Sequence, residues 1–220
     1  MKYFLLLSIF SISISFGFTQ NFPVKEWTAS AHNKPLIFYI SGDGGFNKFS
    51  TSLCQSLNDK GFDVVALNAK SYFWDKKTPV QTAIDIDNYL NKKIAGRQNQ
   101  QIAFIGYSFG ADVLPFILNR VSKYIHDKVL VSVIMGSSGS TDFEIHFSDM
   151  FSSSKKRSMD VISEINKITD GKLIILSGGD DQDLNLKKIT YQKYTSEVIP
   201  GGHHFDGDTG EVARIILKYI

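Results

Sequence analysis

An α/β fold, with a mostly parallel central sheet and helices on both faces, is what this 220-residue sequence predicts. Three observations carry the prediction. Short apolar runs of strand length recur and are separated by stretches with helical periodicity, the rhythm of a parallel sheet. The runs are apolar throughout, as in strands buried on both faces. Glycine-rich segments follow several of them, at the carboxyl ends where open α/β sheets hold their sites. The length suits one domain with a good core and is short for two.

The chain opens with Lys2 and then Tyr3 to Phe18, apolar or hydroxylic and without charge, followed by Thr19 and Gln20. This reads as a secretory signal peptide over residues 1–20, leaving a single domain over 21–220 and an exported, periplasmic protein. A retained membrane anchor is the lesser reading, because the run is short and carries Ser8, Ser11, Ser13 and Ser15. Cys54 is the sole cysteine, so no internal disulfide can form. Its place beside Phe49, Leu53 and Leu57 makes it a buried thiol of a helix. A net charge of +2 argues against a nucleic-acid footprint, which needs clustered basic residues rather than a near-balance.

Leu36–Ile40 reads as the first core strand. Ser41-Gly42-Asp43-Gly44-Gly45 follows it and lacks both phosphate-loop spacings, so it reads as an oxyanion loop rather than a phosphate cradle. The helix of Phe49, Leu53 and Leu57 ends at Gly61, and Val64–Leu67 is the next strand. Ser71-Tyr72-Phe73-Trp74 is an aromatic loop, with Tyr72 and Trp74 read either as core packing or as a wall of a substrate pocket. Thr78-Pro79 opens a helix with a cap and a proline at its first position. Its inward residues are expected at Val80, Ala83, Ile84, Leu90 and Ile94.

Ile102–Ile105 is a strand, Gly106-Tyr107-Ser108-Phe109-Gly110 follows, and a helix runs over Ala111–Arg120. Strand, G-x-S-x-G and helix is the context of a nucleophile elbow, which lifts a serine hydroxyl above the sheet edge in a strained turn. Asp112 lies in the helix's first turn, where the dipole favours a carboxylate; a substrate contact is the second reading. Val129–Met135 is a strand ending in Gly136-Ser137-Ser138-Gly139. Thr141–Asp149 alternates and predicts an extra strand or hairpin, with His146 a solvated strand residue. Lys155-Lys156-Arg157 reads as a solvated loop, with an anionic membrane surface as the alternative.

Leu173–Leu176 is the penultimate core strand, and Asp181 or Asp183 after it stands where a Ser, Asp, His order requires the acid. No calcium-loop spacing is present there, and no metal or cofactor is implied. Glu197–Ile199 is the last strand, followed by His203 and His204, one of which is the candidate base. Thr209–Ile220 closes the chain as an amphipathic helix. Ser108 as nucleophile, His203 (or His204) as base and Asp181 (or Asp183) as acid point to a serine hydrolase. Its oxyanion donors would be the N–H of Phe109 with that of Asp43 or Gly44.

These residues also carry a resemblance. Ser41–Gly45, Tyr72-Phe73-Trp74 with Thr78-Pro79, Gly106–Phe116 with Asn119-Arg120, and Pro200–Asp208 resemble the bacterial virulence proteins of the VirJ family and the related C-terminal domain of AcvB. The resemblance implies an α/β-hydrolase fold without a large cap and a periplasmic location. It implies hydrolysis of aminoacylated phosphatidylglycerol, notably lysyl-phosphatidylglycerol, and an association with type IV secretion systems. It makes Asp43 and Asp112 candidate contacts for a cationic aminoacyl group. Alternatives of other classes are a general carboxylesterase or thioesterase, and a non-catalytic secretion adaptor on a hydrolase scaffold.

Overall fold

The computed structural model describes residues 22–97, 100–145, 157–181 and 183–220. Within them the main sheet is built from β1 (Val24–Trp27), β2 (Leu36–Ile40), β3 (Val64–Leu67), β4 (Ile102–Tyr107) and β5 (Val129–Met135). The two-residue strands β6 (Ser140–Thr141) and β7 (Met159–Asp160) pair with each other, and β8 (Leu173–Gly178) and β9 (Tyr194–Ile199) complete the main sheet. Its order is β1-β3-β2-β4-β5-β8-β9, parallel throughout except for the β1–β3 pair. Parallel pairing brings the carboxyl ends of β3, β2, β4, β5, β8 and β9 to one edge, with β4 central.

The helices are α1 (Lys48–Asp59), α2 (Ala69–Tyr72), α3 (Pro79–Lys93), α4 (Phe109–Leu118), α5 (Lys123–His126), α6 (Val161–Ile165) and α7 (Thr209–Ile216). Strand residues alternate between two apolar layers. Ile37, Tyr39 and Val133 pack against Leu53 and Leu57 of α1 and Val212 of α7. Phe38 and Phe104 pack against Ile86 and Leu90 of α3, Leu114 of α4 and Ile165 of α6. All five residues of β2 are fully buried, which is why the run carries no polar side chain. Each such side chain contributes about 1.5–3 kcal/mol when removed from water. Among the described residues no helix is long and apolar enough to cross a membrane.

Several expectations are corrected. On α3, Val80 and Ile84 are exposed, and the buried face is Thr82, Ala83, Ile86 and Leu90. At 100° per residue, Val80 and Ile84 lie to one side of the arc that Ala83, Ile86, Leu90 and Ile94 share. The aromatic loop begins as the short helix α2, because the Asn68 side chain accepts from the Ser71 N–H and caps it. The helix after the elbow starts at Phe109, and β1, short and half-exposed, is an antiparallel edge strand that no apolar run announced. Of the described part of the alternating segment, Thr141–Ile145, only Thr141 lies in a strand, as the second residue of β6. Phe143 and Ile145 are buried as the alternation requires, but their backbones bond Lys77 and Phe73 instead of a strand partner. His146–Asp149, Lys155, Lys156 and the segment 1–20 lie outside the described residues.

Candidate active site

Ser108 sits between the last residue of β4 and the first of α4, at φ 53° and ψ −119°, a conformation that side chains other than glycine rarely adopt. The turn is tight enough that both flanking glycines are required. A Cβ on Gly106 would lie 2.4 Å from the Gly110 carbonyl oxygen, and one on Gly110 would lie 2.2 Å from that of Ile40. The Ser108 N–H donates to the Met135 carbonyl (2.8 Å), anchoring the elbow to the end of β5.

His203 reaches back over this turn. Its Nε2 lies 2.8 Å from Ser108 Oγ and its Nδ1 lies 2.5 Å from Asp181 Oδ2. A carboxylate only accepts, so Nδ1 carries the proton and Nε2 is left to accept from the serine hydroxyl. The Asp181 side chain is 11% exposed and that of His203 40%, so the acid is sheltered while the imidazole meets the mouth. Of the paired alternatives, then, the structure joins Asp181 and His203 to Ser108. Asp183 is exposed, and His204 Nδ1 lies 2.5 Å from the Tyr107 hydroxyl, on the side of Phe49 in α1.

The reason lies in two touching turns. The Asp181 N–H donates to the Gly178 carbonyl (3.1 Å), and the Asp180 N–H to that of Gly201 (3.1 Å), so the segments after β8 and β9 are knitted together. A Cβ on Gly178 would lie 2.4 Å from the Gly202 carbonyl oxygen. Gly136, at φ 58°, lies beneath the pair: a Cβ there would be 3.1 Å from His203 Cε1 and 3.5 Å from Asp181 Oδ2. Neither Gly136 nor Tyr107 was singled out from the sequence. Tyr107 lies within the G-x-S-x-G pattern itself, and Gly136 follows the apolar run of β5, so both had a positional signal.

The Gly42–Gly45 turn lies against the serine, since a Cβ on Gly42 would come within 3.2 Å of Ser108 Cβ. The Gly45 N–H donates to the Gly42 carbonyl (2.9 Å), which closes the turn without using the N–H of Asp43 or Gly44. Phe109 is the first residue of α4, where an N–H has no acceptor within its own helix. These donors can meet a negative oxygen formed beside Ser108. Asp43 is half-buried at the rim. Burial, and after it the Asp43 and Asp181 carboxylates, push the Tyr107 phenol above its ordinary value.

Two candidate substrate contacts are placed elsewhere. Asp112 is 7% exposed and faces inward: it accepts from the Ser137 hydroxyl (2.8 Å), the Ser138 N–H (2.7 Å) and the Ser138 hydroxyl (2.8 Å). Burial pushes its carboxyl up to about 7, against the pull of those three bonds. A carboxylate so enclosed is a tie between α4 and the loop after β5. Tyr72 is buried too; its hydroxyl donates to Asp85 (2.5 Å) and its ring packs on Phe22 and Phe73, so it belongs to the core. Trp74 is 53% exposed at the rim.

The chain matches the model of the VirJ family, described as bacterial virulence protein, over residues 35–220. No curated protein matches it. Among solved structures it is similar to MenH from S. aureus, at 12% identity and a TM-score of 0.63, covering 90% of this chain and 97% of that one. It is similar also to Est1E from Butyrivibrio proteoclasticus with ferulic acid bound, at 15% identity and a TM-score of 0.61, covering 89% and 94%. The thioesterase domain from the curacin biosynthetic pathway stands at 13% identity and 0.59, with the same coverage. At such identities the likeness shows the fold, which is that of the α/β-hydrolases.

Proposed function

This chain belongs to the VirJ family, and we propose that it is a periplasmic serine esterase that cleaves the aminoacyl ester of aminoacylated phosphatidylglycerol. The observation that carries the enzymatic part is His203 bridging Ser108 at 2.8 Å and Asp181 at 2.5 Å. The resemblance of its motifs supports the lipid substrate, and the apolar opening with Lys2 supports export.

In this reading Ser108 Oγ attacks the ester carbonyl carbon while His203 Nε2 takes the hydroxyl proton. Asp181 holds the Nδ1–H tautomer and stabilises the imidazolium that forms. The tetrahedral oxyanion is met by the Phe109 N–H with that of Asp43 or Gly44. Collapse breaks the bond to the headgroup glycerol oxygen, which takes the serine's proton from His203 and leaves as the free hydroxyl. A water, deprotonated by the same imidazole, then attacks the acyl-serine, and collapse breaks the bond to Ser108 Oγ, which takes that proton from His203 as the amino acid is released. Asp43, half-buried beside this oxygen, is the carboxylate available to a cationic aminoacyl group; Asp112 is not.

The test is release of lysine from lysyl-phosphatidylglycerol in mixed micelles, beside a short-chain nitrophenyl ester and the Ser108→Ala variant. Release by the wild type alone, faster than from the simple ester, supports the proposal. Cleavage of the simple ester only would make the protein a general esterase. Inertness toward both, and toward a wider ester panel, would favour the adaptor.

A further inference from the structure

Among the described residues five large apolar side chains stand exposed, and three of them share the stretch 74–84: Trp74 (53%), Val80 (56%) and Ile84 (48%). This stretch leaves the carboxyl end of β3 through α2 and enters α3, at the sheet edge that holds Ser108. Its link to the elbow is direct, because Phe73 is fully buried with its ring 5.0 Å from that of Phe109, the residue after Ser108. Phe73 turns inward there and Trp74 outward. Val80 and Ile84 lie one helical turn apart on a side of α3 that the core does not use, since Ala83, Ile86 and Leu90 already fill the interface. The fold therefore leaves about half of each of these three apolar side chains in water.

The charges around them have one prevailing sign. Among the described residues, Lys70, Lys76 and Lys77 lie in or beside the stretch, against Asp75 within it and Glu144 beside it, between the Phe143 and Ile145 that bond Lys77 and Phe73; the next carboxylate along the chain, Asp85, is held by Tyr72 and Gln81. Lys76 is exposed, and Lys77 Nζ lies 5.2 Å above the Tyr72 ring. A tryptophan with aliphatic neighbours and flanking lysines is the composition that sits at the headgroup level of a bilayer. Lysines add attraction to anionic lipid.

We propose that this face docks on an anionic phospholipid bilayer, with Trp74, Val80 and Ile84 entering the interface and Lys70, Lys76 and Lys77 meeting lipid phosphates. The mouth over Ser108 then faces the headgroups, so an ester carried there reaches the serine without the lipid leaving its leaflet. The proposal rests on the aminoacyl-lipid reading of the site, and its test is separable from that reading.

The test uses vesicles free of aminoacylated lipid, made either of phosphatidylglycerol with phosphatidylcholine or of phosphatidylcholine alone. Binding is read by co-sedimentation and by tryptophan emission in a Trp27→Phe background, which leaves Trp74 as the only tryptophan. Expected are binding to the anionic vesicles, a blue shift of Trp74 on binding, and weakening by salt. Val80→Ser with Ile84→Ser, and separately Lys76→Glu with Lys77→Glu, should each lower partitioning by about tenfold. The Val80, Ile84 pair should leave hydrolysis of a soluble short ester unchanged, which shows that it folds. No binding, no shift, or binding that both pairs leave intact overturns the proposal, even if lysine is released from lysyl-phosphatidylglycerol. Binding that depends on this face upholds it, even if no lysine is released.

Discussion

Ser108, His203 and Asp181 act as one unit in the proposed reaction, so each is expected to be needed in a different way. Ser108→Ala removes the nucleophile and should reduce ester turnover by about 10⁴-fold or more. Asp181→Asn keeps the shape but offers His203 Nδ1 a group that can donate as well as accept, which permits the wrong tautomer; a loss near 10⁴-fold in kcat is expected. Asp183 is exposed and stands off the imidazole, so Asp183→Asn should stay within about threefold of wild type. Paired kinetics of the two variants on one ester check the assignment, and equal losses would sink it. Gly136 has no chemistry of its own, yet φ 58° and 3.1 Å to His203 leave little room for a methyl group. Gly136→Ala should therefore lower kcat more than it raises KM, by displacing the imidazole from the serine.

The elements meet at a few polar ties, and the tie at Asp112 makes a prediction about pH. Burial raises this carboxyl to about 7 in the folded protein, while in the unfolded chain it titrates near its ordinary value of 3.8. A group with a raised folded value adds most stability below the unfolded value and loses it as pH climbs through the folded one. Asp112→Asn cannot ionise, so urea unfolding should show the variant gaining on wild type between about pH 4 and pH 7, by a few kcal/mol at most, and holding that gain above pH 7. Parallel curves would mean that Asp112 is not the buried acid described here. The same tie shows where sequence reading reached its limit. The apolar runs of β2, β4, β5 and β8 announced themselves, because strands buried on both faces leave no room for polar residues. Asp112 was legible as a first-turn carboxylate, but the loop that encloses it comes from Ser137 and Ser138, and enclosure by a distant segment leaves no local pattern. Asn119 and Arg120 are similar: both bond Glu164, whose side chain is 3% exposed, and so join the end of α4 to α6. Asp181 and His203 could not be separated from Asp183 and His204 because the choice depends on how two glycine turns pack together.

At the scale of the whole molecule, six parallel strand ends lie at the edge that holds a serine in a backbone conformation it would not choose. The surrounding structure imposes it: the Gly106–Gly110 approach, the Ser108 N–H bond to Met135 and the start of α4 leave the chain no other path. A non-glycine residue at φ 53° and ψ −119° carries a cost of about 1–3 kcal/mol, subtracted from the stability of the entire fold. Glycine at the same position has no Cβ and so escapes most of it, although it also loses more entropy on folding. Ser108→Gly and Ser108→Ala both remove the hydroxyl and its bond to His203, so the difference between them isolates the backbone. If the elbow stores strain, the glycine variant should melt about 2–4 °C above the alanine variant, roughly what 1 kcal/mol moves a chain of this size. Both should be inactive as esterases. Calorimetry on the two proteins decides it, and an alanine variant that melts at or above the glycine variant would show that the turn is relaxed. In that case Ser108 would be held by its neighbours at no expense to the fold, and its position above the sheet edge would need only the two glycines beside it.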